Sequence, residues 1–188
     1  GFIFVILIVG SYAGILGSHI LLKEESDKTI EYLNMLPIQR SQIVRQKMLC
    51  GIGYIIAMVV LLGMFNYIGL SLSGSFDKKT FLLLSITPIF SSVVIFILCM
   101  FLSTFTHKTK KMIGISLAIV FISYVMQMLS VLAESTEFLK FFSIFTLADI
   151  RYVITYQTIN PWMIALSIII TTILGILTLR RYEKKELI

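Results

Sequence analysis

The chain has 188 residues, of which 57% are hydrophobic and only 14% are charged, and its mean hydropathy is +0.95. This composition lies far outside that of soluble proteins and predicts an integral membrane protein. The formal net charge of +6 is concentrated in short connectors between apolar runs, a distribution that reflects membrane topology and does not indicate nucleic-acid binding.

Five apolar runs without Lys, Arg, Asp or Glu are long enough to cross a bilayer core, which needs about 20 residues of helix. They cover residues 1–22, 48–70, 80–106, 112–133 and 161–179. The sequence therefore predicts an all-α, polytopic transmembrane helical bundle that forms a single domain over residues 1–188.

The first run carries a face of small residues. Gly10, Gly14 and Ser18 recur every four residues, which lets helix backbones approach closely in lipid, and we expect this face to pack helices within one subunit. The run begins without a basic flank, an initiator Met or a cleavage site, unlike a signal peptide. We expect the chain to be a fragment that lacks its natural N-terminus.

The connector 23–47 holds nine charged residues, five basic and four acidic, between two uncharged runs. Ser26 or Asp27 is a candidate cap for a short helix that ends before Pro37, since proline disfavours a helical residue before it. One side of this helix is apolar and consists of Ile30, Leu33 and Leu36.

A second short helix, 42–47, is predicted to begin at a Ser41 cap and to run into the second span. The first helix is too short to be stable alone in water and must dock on a surface. Its nearly balanced charge slightly favours a protein groove over an interfacial position on lipid, and both remain open on the residue pattern alone.

The third run contains Pro88, which predicts a helix kink with Ser91 and Ser92 one turn further on. Residues 134–160 form a long connector rich in aromatic residues, which favours helices in or dipping into the outer interface. Its candidate gate residues are Phe138, Phe141, Phe142 and Phe145. Asn160 and Pro161 predict the cap and first residue of the last helix.

The distribution of Lys and Arg predicts the orientation. The connector 23–47 has five, the turn 107–111 three and the tail 180–185 four, a total of twelve on one side. The connectors on the other side carry four. By the positive-inside rule the first side, including the C-terminus, is cytoplasmic.

No phosphate-binding loop, no His-Glu-x-x-His motif and no intramembrane carboxylate occurs in the sequence, so we predict neither catalysis nor a cofactor in this chain. Cys50 and Cys99 are predicted to be packing residues, without a disulfide or a metal. Ion-coupled carriers usually keep an ionisable group within their spans, and its absence here disfavours that class.

The charged connector resembles the cytoplasmic signature of ABC-2 type transporter permeases. The residues that carry the resemblance are Glu24, Thr29, Ile30, Glu31, Leu33, Leu36, Pro37, Ile38, Arg40, Ile43 and Lys47. The sequence departs from the pattern at Lys28, Gln39 and Gln46, where the family has Gly, Ser and Gly.

The resemblance implies a six-span permease of the cell membrane, in bacteria the plasma membrane, that pairs with a second permease subunit. It implies a coupling helix docked in a groove of a separate ATP-binding cassette subunit, which would bind ATP and Mg. The residues expected at that interface are Asp27, Thr29, Ile30, Glu31, Leu33, Leu36, Pro37 and Arg40.

It also implies a re-entrant hairpin at the outer gate within 134–160, although Ile144 stands where the family often has proline. Two other functions stay open. The chain is alternatively a non-transporting membrane scaffold or accessory protein, or an ion-coupled secondary carrier.

Overall fold

The computed structural model of the chain describes residues 2–26, 31–32, 35, 37 and 39–184, and these contain helices but no strand. The α-helices are α1 (Phe2–Ser26), α2 (Arg40–Ser73), α3 (Lys78–Ile86), α4 (Pro88–Ser103), α5 (Thr109–Leu132), α6 (Ile150–Tyr156) and α7 (Pro161–Lys184). Two 3₁₀ segments, Glu134–Phe141 and Ile144–Ala148, lie between α5 and α6.

Five helical stretches are long and apolar enough to span a membrane, and the predicted all-α polytopic bundle is confirmed. They are Phe4–Lys23, Arg40–Ser73, Lys78–Ser103, Thr109–Leu132 and Pro161–Lys184.

The helix of the second span begins two residues before the predicted start at residue 42. The helix α2 begins at Arg40 and includes the predicted short helix 42–47, so one continuous helix runs from the connector into the bilayer. Gln39 is the N-cap and makes no side-chain cap bond, while Ser41 is buried inside the first turn. The prediction of a Ser41 cap is therefore wrong.

The third span is interrupted at Pro88. The helix α3 ends at Ile86 and α4 begins at Pro88, because proline offers no amide hydrogen to the preceding turn. Thr87 keeps helical angles between them (φ −52°, ψ −40°), and its hydroxyl donates to the Leu83 carbonyl at 2.7 Å. The break is thus local, and α3 and α4 together form one span.

The central helix of the bundle is α4, which packs against α1, α2, α5, α7 and the second 3₁₀ segment. Its buried residues lie all round the helix, as expected for an apolar helix surrounded by others, and include Val94, Ile95, Phe96, Ile97, Cys99 and Met100. The helix α1 lies against both α4 and α5. By contrast α2, α5 and α7 bury only a small part of their span and form the periphery.

Candidate functional site

The connector between α1 and α2 is joined to the bundle at both ends. Near the start of α2, Lys47 Nζ donates to the Ile20 carbonyl, near the end of α1, at 2.9 Å. A hydrogen bond from an ammonium group is charge-assisted and stronger than a neutral one. The two helices that carry the connector are therefore held together where it emerges.

Most of the predicted coupling interface lies in the connector itself. Asp27, Thr29, Ile30, Leu33 and Leu36 lie outside the described residues. Of the remaining three, Glu31 and Pro37 are exposed, and Arg40 is half-buried at the first position of α2. The role of these residues stays a prediction.

A single residue of α4, Phe96, contacts both helices that flank the connector. The Phe96 ring lies against Gly51 of α2, where an added Cβ would be 2.1 Å from the ring Cζ. The Phe96 carbonyl oxygen lies against Gly17 of α1, where an added Cβ would be 2.4 Å away. Both distances are too short for any residue other than glycine, so α1, α2 and α4 are in closest contact at this point.

The small-residue face of α1 lies against α4, α5 and the second 3₁₀ segment. A Cβ added to Gly14 would be in ordinary contact with Val120 of α5, at 3.4 Å. One turn further on, the hydroxyls of Ser18 and Ser116 are hydrogen-bonded, and Ser18 also lies 2.7 Å from the Gly14 carbonyl. Both serines are buried, so this polar contact ties α1 to α5 inside the bundle.

The connector 134–160, named the outer connector after its predicted side of the membrane, enters the bundle at Phe145. This side chain is only 2% exposed, lies against Gly10 of α1 and meets the Tyr124 ring edge to face, with centroids 6.4 Å apart. Ser143 donates to the Ser123 carbonyl at 2.8 Å, which fixes the connector to α5. The other three predicted gate residues, Phe138, Phe141 and Phe142, are more than half exposed.

A pocket of about 320 Å³ lies between the N-terminal part of α1, the C-terminal part of α5 and the helix α6. It is mainly apolar, and its polar side chains are Tyr124, Gln127, Asp149 and Arg151. The Arg151 guanidinium donates to the Val131 carbonyl at 2.9 Å, and Asp149 caps α6 by accepting from the Arg151 and Tyr152 amides. The Arg151 and Asp149 side chains are therefore engaged in hydrogen bonds within the pocket wall.

The described residues contain no group of three His, Cys, Asp or Glu side chains that could hold a metal ion. Cys50 is exposed on α2 and Cys99 is buried on α4.

Sequence reasoning did not single out Phe96 or Ser116. Phe96 stands in an unbroken apolar run, where no polar alternation distinguishes the side that faces protein from the side that faces lipid. The glycines opposite it were a partial signal, since Gly17 and Gly51 each interrupt an apolar span.

The described fold is that of a multi-pass α-helical membrane protein with a charged connector between its first two spans. The family model described as ABC-2 family transporter protein matches residues 2–187. The chain belongs to the ABC-2 transporter family, which confirms the resemblance seen in the connector. Comparison with curated proteins and with solved structures gave no match.

Proposed function

We propose that this chain is the membrane-spanning permease subunit of an ATP-driven exporter, coupled through its charged connector to a separate ATP-binding subunit. Membership of the ABC-2 transporter family is the observation that carries the proposal, since such permeases are membrane transport components. ATP and Mg would bind to the partner, and a second permease subunit, identical or different, would complete the transporter.

The packing of the connector supports a mechanical role. A force applied to the connector acts on the ends of α1 and α2, which are joined by Lys47 and meet the same residue of α4, Phe96. Because α4 contacts most of the bundle, a shift of these ends would be passed to the central helix.

The described geometry also links α4 to the outer connector. The second 3₁₀ segment, with Phe145 at its centre, packs on α4 and lies against Gly10 of α1. The two helices that carry the connector meet α4 at Phe96, and the second 3₁₀ segment packs on α4 and α1. This arrangement suits a permease whose outer gate opens in response to events on the cytoplasmic side.

In the proposed orientation the protein lies in the plasma membrane, with the charged connector and the C-terminus in the cytoplasm. At the C-terminal end, the Arg181 guanidinium lies 3.8 Å over the Phe105 ring, next to the lysine-rich turn 107–111. The connectors that carry twelve of the sixteen Lys and Arg residues would then be on the side of the ATP-binding subunit.

Co-purification tests the proposal directly. The tagged full-length protein is extracted from its own cells in a mild detergent, and mass spectrometry identifies the proteins that remain bound. We expect an ATP-binding cassette subunit with the native connector and its loss with Glu31→Arg or Leu33→Asp. The control Glu134→Arg makes the same charge reversal at an exposed position of the outer connector and should retain the subunit.

The same variants are assayed for ATP-dependent efflux from intact cells. Loss of efflux with both connector variants, at normal membrane abundance, supports coupling through this surface. If both variants keep the ATP-binding subunit and efflux at the level of Glu134→Arg, the connector has no coupling role and the proposal fails.

A further inference from the structure

An open groove runs along the surface of the bundle between α2 and α3. It has a volume of about 470 Å³, and its walls are side chains of α2 from Val59 to Ile68 and of α3 from Phe81 to Ile86, with Ile89 of α4 at its inner end. Several lining residues, including Met64 and Leu82, are more than half exposed. The groove is therefore open on the surface of the bundle in the single subunit, along the halves of the two spans that adjoin the α2–α3 turn.

The groove is apolar throughout its length. The polar side chains that line it are Tyr67 and Ser85, and the Ser85 hydroxyl is already bonded to the Phe81 carbonyl at 2.9 Å. Val59 to Ile68 cover about 14 Å of helix axis, which is about half of a hydrocarbon core of roughly 30 Å. The groove thus has the polarity and the depth of one leaflet's acyl region.

Gly63 lines the groove opposite Ser85. A Cβ at Gly63 would lie 3.7 Å from the Ser85 Cβ, an ordinary contact, so the space above it is free and not taken up by a neighbouring side chain. The rings of Tyr67, Phe76 and Phe81 pack against one another at the end of the groove nearest the start of α3, with centroids 5.5–5.8 Å apart. This end lies nearest the predicted membrane interface, because the span that contains α3 begins at Lys78.

Two lysines lie at the same end of α3. Lys78 begins the helix, one turn before the lining residue Leu82 on the same helix face, and its side chain is exposed. Lys79 is exposed beside it. The only carboxylate of this turn, Asp77, points into the helix start, where it accepts from the Lys79 amide at 3.1 Å and the Thr80 hydroxyl at 2.5 Å.

We propose that this groove binds one acyl chain of an anionic phospholipid, whose phosphate is held by Lys78 and Lys79 at the rim. The apolar groove favours an acyl chain, and the two ammonium groups favour a negatively charged headgroup. The residues that line the groove carry no charge of their own. The site is independent of the coupling connector, which leaves the bundle at the opposite end.

A tryptophan in the groove reports its occupant. The single native tryptophan is replaced by Trp162→Phe, and Met64→Trp places a reporter on the groove wall. Phe65→Trp is the matched reporter at the same depth, on an exposed position outside the lining. The full-length protein, with whatever subunits co-purify, is reconstituted with acyl-brominated phosphatidylglycerol or phosphatidylcholine, and fluorescence quenching gives the relative affinity for each lipid.

At Met64→Trp we expect phosphatidylglycerol to be favoured about 25-fold, a factor of about five for each of the two lysines near an anionic headgroup. At Phe65→Trp the two lipids should quench equally. Lys78→Gln with Lys79→Gln should abolish the preference at Met64→Trp, whereas Lys140→Gln, which removes a lysine from the outer connector, should preserve it.

Filling the groove supplies the second test. Gly63→Leu should reduce quenching at Met64→Trp because its side chain occupies the acyl space, and Gly69→Leu, where nothing lies within 4 Å, should leave it unchanged. Equal quenching by both lipids at both reporters overturns the headgroup site. Absence of quenching at Met64→Trp by either lipid overturns the proposal too, because it shows that protein covers the groove.

Discussion

At Phe96 two different groups of one residue contact two different helices, and their consequences for mutation differ. The ring that meets Gly51 is a side chain, which can be shortened by substitution. The carbonyl oxygen that meets Gly17 belongs to the backbone of α4 and is present whatever the side chain. The two glycines therefore respond differently to a change at position 96.

We expect Gly51→Ala to lower stability by about 1–3 kcal/mol, the usual cost of overpacking a core. Phe96→Leu should remove most of that cost, because the ring atoms that clash are gone. Gly17→Ala should cost at least as much, and Phe96→Leu should not relieve it. The melting midpoints of the purified single and double variants in detergent check both statements.

Gly53→Ala is the control on the same helix, since nothing lies within 4 Å of a Cβ there. It should be neutral or slightly stabilising, as alanine is a better helix former than glycine. Equal midpoints for Gly51→Ala and Gly53→Ala would contradict the close contact at Phe96.

At the scale of elements, the outer connector depends on one buried ring. Phe145→Ala should cost about 3–5 kcal/mol through the cavity it leaves between α1 and α5. Phe141→Ala should change stability by less than about 0.5 kcal/mol, because Phe141 is 82% exposed. Melting midpoints, with limited proteolysis of residues 134–160, compare the two. Similar effects of both substitutions would mean that the connector is not held by Phe145.

We expect the stability of the start of α3 to depend on pH through Asp77. Hydrogen bonds from the Thr80 hydroxyl and the Lys79 amide lower the pKa of this exposed carboxyl. A lowered folded pKa means that the stabilisation is complete above the unfolded pKa of about 3.9 and is lost as pH falls through the folded one. Asp77→Ala should therefore be less stable than the native chain at pH 7, and the difference should shrink in acid.

Asp77→Asn is the matched variant for this cap, since asparagine accepts the same amide hydrogen bond without charge. It should retain more stability than Asp77→Ala at pH 7 and should show a flatter dependence on pH. A difference between Asp77→Ala and the native chain that stays constant down to pH 2 would rule out an ionised cap.

The spans could be predicted because the thickness of the bilayer sets the length of a spanning helix and the apolar core excludes charge. Both requirements apply to a whole run of residues. The break at Pro88 and the cap at Asn160 could also be predicted, because both follow from local chemistry. The Asn160 side chain accepts a hydrogen bond from the Trp162 amide at 3.0 Å. The start of α2 at Arg40 could not be predicted, because its first residues lack the expected capping bond. The sequence also does not distinguish the apolar face that meets lipid from the face that meets protein, since both environments favour the same side chains. Phe96 was missed for this reason.

For the whole molecule, the described helices divide into an interior pair and a periphery. About half of α1 and of the α3–α4 span is buried, against about a fifth or less of α2, α5 and α7. A membrane protein exposes apolar surface to lipid without penalty, so peripheral helices with large free faces are expected in a subunit that has lipid or other subunits around it. The charged connector is attached to one interior and one peripheral helix.

The alternation of spans assigns every connector to one of two sides, and the Lys and Arg content distinguishes them. On a background of Cys50→Ala and Cys99→Ala, single cysteines are introduced as Ser75→Cys, in the α2–α3 turn, and Lys110→Cys, in the first turn of α5; both positions are exposed. A membrane-impermeant thiol reagent applied to intact cells should label Ser75→Cys only, and after permeabilisation it should label both. Labelling of Lys110→Cys alone in intact cells would reverse the orientation, and the charged connector would then lie where no cytoplasmic ATP-binding subunit can reach it.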